Sequence, residues 1–281
     1  MSSVVSGSSG AARNEPVEPS TAPRTVPPLS DALQRLMSLS ERDRDDLRIL
    51  ELIIRKDPAA VARVLSLAES VVYSRNSRVR GIADALKFLG SQASCDALMS
   101  IWTVELFDTP EHLRALRSYL SRHIFSACAT VRRIAFYTES SRAISPRAAL
   151  LAILHKLGLA FCLGASEGPE LPAMFSAFQD GRHLFHNQPE LREAFRLSAE
   201  IAGSWGLERS VCDELQQLGQ RDVRVSELTE SAQLVLAAEV LLDAKAGLGN
   251  EVLAQEPYAS WPVIQALYAK DIEPMSLVSL F

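Results

Sequence analysis

From Leu29 onward the apolar residues recur at spacings of three and four, and strict alternation of apolar and polar positions is scarce. That period belongs to helices that bury one face, and it predicts an all-α protein. Val61, Val64, Leu65, Ala68, Val71 and Val72 form one such stripe, with Arg63 and Glu69 on other faces. Start signals agree with the period: Asp57-Pro58, Thr109-Pro110 and Ser145-Pro146 each set a capping side chain before a proline suited to a first helical turn. The pattern predicts helices near residues 30–39, 44–56, 58–74, 79–89, 92–107, 110–138, 146–163, 170–185, 190–204, 208–218, 226–246 and 258–269. No longer repeat is present, which argues against a solenoid. The break at Phe107-Asp108-Thr109-Pro110 divides the helices into an N-terminal lobe, 29–107, and a larger C-terminal lobe, 108–281.

The first 28 residues lack this pattern. Six Ser, two Gly and five Pro dominate them, so they cannot bury enough apolar surface to offset the entropy of ordering, and a disordered tail is expected. They contain no apolar core of a secretory signal. The longest nearly continuous apolar run, Ala148 to Leu163, is 16 residues and contains His155 and Lys156, short and charged for a bilayer span. No membrane contact is expected. Cys95, Cys128, Cys162 and Cys212 are widely spaced and form no paired motif, which reads as four small buried hydrophobes in a reducing cytoplasm.

Charge is uneven. Residues 111–156 carry eight Lys plus Arg against two acidic residues, whereas 157–281 carry eight against eighteen. Arg supplies 24 of the 29 cations, which suits phosphate or carboxylate recognition. Arg75, Arg78 and Arg80 cluster at a helix connection and Arg122 lies on the long helix 110–138, making these four candidate anion contacts. A sequence pI near 5.6 disfavours nucleic acid as the partner. No nucleophile elbow and no glycine-rich phosphate loop is present. His183 and His186 stand three apart on one helix face with no further Cys or His nearby, so surface or capping roles are expected for them.

Three stretches carry a family resemblance. Residues 56–68, KDPAAVARVLSLA, resemble the "DP.l..kll.laNS" segment of bacterial HDOD domains, the HD-related output domains. Residues 79–90, VRGIADALKFLG, are similar to that family's helix ending in Leu-Gly. Residues 152–158, AILHKLG, stand where family members carry "GLLHDIG". Weaker likenesses at Val26-Pro27-Pro28-Leu29, Ser204-Trp205-Gly206-Leu207 and Leu236-Ala237-Ala238-Glu239 extend the resemblance over roughly residues 26–245, in the family's order. The resemblance implies an HDOD-like fold of two helical lobes.

It also implies where a metal-dependent phosphohydrolase of the parent HD superfamily would hold its ions. His123 and His155 match the two histidines, Glu239 falls about where the last aspartate would be, and Lys156 replaces the aspartate that follows the second histidine. The family's Asn in "NS" is Glu69. A metal site needs carboxylates to compensate its cations, and Lys156 supplies a cation in their place. Metal affinity is expected to collapse, leaving no catalytic residue, no metal and no cofactor. Lys156 cannot be buried alone and should reach solvent or an acidic residue, Glu239 being the candidate. His155 is expected as a buried, hydrogen-bonded imidazole, and His123 as a helix-packing residue.

The leading expectation is a non-enzymatic, cytoplasmic bacterial HDOD-type module that contacts signalling proteins. One alternative is a residual HD-type phosphohydrolase using His123, His155 and Glu239. Another is a sensor binding a nucleotide second messenger in the former active-site cleft beside Lys156.

Overall fold

The computed structural model describes residues 25–73, 79–140, 144–166, 189–220, 224–245 and 250–278. Among them every regular element is a helix, so the all-α fold stands. The predicted helix 170–185, with His183 and His186, and the arginines Arg75 and Arg78 lie outside the described residues, as do residues 1–24 of the expected tail.

The N-terminal helices are α1 (Asp31–Ser38), α2 (Glu41–Arg44), α3 (Leu47–Ile54), α4 (Pro58–Tyr73), α5 (Ile82–Leu89) and α6 (Ser91–Glu105). The predicted helix 44–56 is split because Asp46 caps α3, its carboxylate accepting the Arg48 amide at 2.9 Å. Asp57 caps α4 as its position before Pro58 predicts, accepting the amides of Ala59 and Ala60 at 3.0 and 3.1 Å. Its other oxygen accepts the Trp102 indole N–H at 2.8 Å, so one side chain both starts α4 and fastens it to α6. Gly90 has a φ of 81°, a conformation that lets α5 turn directly into α6. Leu33, Leu50, Val64, Leu86 and Leu98 close a first hydrophobic cluster among these helices.

The second cluster is larger. It is built by α7 (Arg114–Tyr137), α8 (Ile144–Leu154), α9 (Leu157–Gly164), α10 (Pro189–Ser204), α11 (Arg209–Leu218), α12 (Glu230–Asp243) and α13 (Pro262–Tyr268). The long α7 is its axis, packed against α6, α8 and α12. Met99 and Leu106 of the α6 region touch both clusters. Buried Asp96 on α6 takes a two-pronged contact from Arg132 on α7, at 2.5 and 2.9 Å, which fixes the two helices in register.

Local signals were not always followed. Thr109 does not cap: its hydroxyl donates back to the Phe107 carbonyl at 3.1 Å, and α7 opens through a short 3-10 turn, Glu111–Leu113. The predicted helix 146–163 is interrupted at His155-Lys156. Ordered chain also begins earlier than residue 29, because Val26 packs on the larger cluster and the Trp205 indole N–H donates to the Pro27 carbonyl at 2.9 Å. The stretch 144–164 is long and apolar enough to cross a membrane by length and composition, but 78% of its most apolar window is buried within the protein. Its hydrophobicity is spent on the core. All four cysteines are free thiols, three of them buried.

Candidate functional site

The interruption between α8 and α9 is the centre of the site. Ala152 O is the carbonyl that the Lys156 amide would use in an unbroken helix, and it accepts the Nδ1–H of His155 at 2.7 Å. Ser198, on α10, holds the broken turn from outside. Its hydroxyl oxygen accepts the Gly158 amide at 2.8 Å and lies 2.9 Å from the carbonyls of both His155 and Ala194, which share its one proton. Gly158 is required here because α9 and α10 nearly touch: a Cβ on it would meet Ala194 O at 1.9 Å.

The break turns His155 and Lys156 together toward α12. There Glu239 is fully buried, and its two oxygens gather three side chains. His155 Nε2 lies 2.8 Å from Oε1, Lys156 Nζ lies 2.8 Å from Oε2, and His123 Nε2 from α7 lies 3.0 Å from both. His155, Lys156 and Glu239 expose no surface and His123 is 9% exposed. Phe195 of α10 covers the cluster, its ring stacked near that of His155 and 5.7 Å from the Lys156 ammonium. The structure thus brings together all four residues singled out by the family resemblance. Lys156 meets Glu239, as a buried ammonium must meet some acid, and His123 is bound to the carboxylate as well as packed.

The electrostatics follow from this geometry. Burial opposes the charged form of Glu239, but His123, Lys156 and His155 outweigh it and hold the carboxyl well below its ordinary range. Burial also depresses the proton affinity of His155, with Glu239 opposing.

Asp243, one turn beyond Glu239 on α12, was not anticipated. Burial and the Glu239 charge push its carboxyl up to about 9, with Lys156 opposing. The folded protein therefore holds this proton between about pH 4 and pH 9 while the unfolded chain does not. Stability attributable to Asp243 falls as pH rises through that window, by up to about 1.4 kcal/mol per pH unit. Asp243→Asn is expected to flatten this slope, and urea denaturation at pH 5, 6.5 and 8 measures it. A slope identical to the parent's would mean that Asp243 does not hold its proton.

The donor set does not fit a divalent cation. Glu239 has both oxygens engaged, and the position next to His155 carries an ammonium that would repel the metal from the one carboxylate able to bind it. Among the described residues no group of three or more His, Cys, Asp or Glu side chains is arranged to hold a metal ion. Of the remaining candidate anion contacts, Arg80 is exposed beside the start of α5, and Arg122 is exposed on a different face of α7 from His123, at a cleft against α4 and α6. Ser198, Asp243 and Phe195 are the site residues that sequence reasoning missed. Only Asp243 left a trace there, as an acid four residues after Glu239 in an otherwise apolar run.

The HDOD domain family model matches residues 26–219. No curated protein matches the chain. The fold is similar to that of an HDOD domain protein of unknown function from Geobacter sulfurreducens, whose crystal structure superposes with a TM-score of 0.53 at 18% identity, covering 90% of this chain and 87% of that one.

Proposed function

The chain belongs to the HDOD domain family, and on that premise we propose that it is a non-catalytic regulatory module, acting in bacterial signal transduction by binding other proteins. The observation that carries this reading is the Lys156–Glu239 ion pair at 2.8 Å, sealed from solvent together with His155. A phosphohydrolase of the parent superfamily needs a carboxylate free to hold a cation near a phosphate ester. In this chain the carboxylate is neutralised from within, and the cluster serves to join α7, α8, α9 and α12. Contacts with partners then fall to the helix surfaces, in the cytoplasm, with the residues before 25 available as an additional arm.

Metal content and phosphodiesterase activity of the purified chain test the reading. The expected result is far less than one divalent ion per chain and no activity stimulated by added manganese or magnesium. A stoichiometric divalent ion, together with phosphodiesterase activity abolished by His155→Ala, would overturn it.

A further inference from the structure

A cleft of about 520 Å³ lies where α4, α6 and α7 meet, between the two hydrophobic clusters. Its volume falls in the range of small-molecule sites. On α7 its wall is the stripe 118, 121, 122 and 125, at i, i+3, i+4 and i+7, a face turned away from His123. The cleft is therefore separate from the buried Glu239 cluster.

Its lining is unusual in sign. Arg63 and Arg122 and four serine hydroxyls supply the polar groups, and no lining residue is acidic. Ser66 and Arg122 stand exposed at the mouth, while buried Ile101 and Phe125 form an apolar floor. Glu105 pairs with Arg63 Nη2 at 2.7 Å, yet among the described residues Arg63 Nη1 and the Nε of neighbouring Arg117 are buried donors that have no acceptor. A buried donor of a charged group is costly to leave so, and an anion reaching Arg63 from the cleft would relieve it. Burial weakens the hold of Arg63 on its proton, Glu105 strengthens it, and Arg117 and Asp57 oppose each other more weakly.

We propose that this cleft binds a small phosphate monoester with a flat apolar body, its phosphate on Arg63 and Arg122 and its body against Ile101 and Phe125. A phosphate suits the site better than a carboxylate because it offers three oxygens to a set of donors that exceeds what two can satisfy. This inference holds independently of whether the Glu239 cluster is catalytic.

Isothermal titration calorimetry of the full chain with AMP, GMP and phenyl phosphate tests it, with adenosine and inorganic phosphate as the two halves of the ligand. Arg63 is left intact, since its loss would strand Glu105. Arg122→Gln removes an exposed cation, and Ser118→Leu narrows the cleft from its half-buried wall; thermal melting verifies that both fold. At least one ester is expected to bind, at least tenfold more tightly than adenosine or phosphate, and each variant is expected to weaken it at least tenfold. Flat titrations with all three esters at millimolar concentration would overturn the proposal. Binding unchanged in both folded variants would overturn the location, and inorganic phosphate binding as tightly as the esters would overturn the role of the apolar floor.

Discussion

Lys156→Met is expected to destabilise the protein by about 3–5 kcal/mol at pH 8, the range for removing one partner of a buried ion pair. Methionine keeps much of the lysine stem's volume, so the loss reports on charge more than on packing. Without the ammonium, Glu239 keeps only two imidazoles as partners in a site sealed from water. Adding Glu239→Gln to the variant should recover much of the loss, because the stranded carboxylate is then gone. Urea denaturation of the two single variants and the double variant closes the cycle. A cost below about 1 kcal/mol for Lys156→Met at pH 8 would show that the ion pair does not hold the helices together.

The second large effect is steric. Gly158→Ala places a Cβ 1.9 Å from the Ala194 carbonyl oxygen, 2.8 Å from its carbon and 2.9 Å from the Leu197 Cβ. The first two are backbone atoms, so relief requires α9 and α10 to move apart. Separation would draw Ser198 away from Gly158 and His155 and loosen the turn that presents His155 and Lys156 to Glu239. A loss of ~3 kcal/mol or more is expected, at or beyond the upper end for overpacking a core. Differential scanning calorimetry measures it, and a melting temperature equal to the parent's would mean that α10 yields freely at this crossing.

Sequence reasoning reached the fold through periodicity and reached the four site residues through family resemblance. Their mutual contact was legible in part from one physical rule, that a buried ammonium needs an acid. The break at His155-Lys156 was hidden, because an apolar run such as Ala148 to Leu163 looks the same whether or not a side chain claims a backbone carbonyl within it. Ser198 was hidden for a related reason: it acts on residues about forty positions upstream, and nothing local distinguishes it from other serines on a helix. Thr109 shows the opposite failure. Its cap signal was correct in composition, but the chain enters α7 through the 3-10 turn Glu111–Leu113, and the hydroxyl donates back to Phe107 without capping.

The bond from Trp205 to the Pro27 carbonyl joins positions 178 residues apart and has a mechanical consequence. The N-terminal helices are moored at both ends of their segment, covalently where α6 runs on toward α7 and by this indole at residue 27. Pulling the N-terminal helices away from the larger cluster would have to break this bond as well as the Asp96–Arg132 contact. The same mooring fixes the backbone at residue 27 beside Trp205, on the flank of the larger cluster.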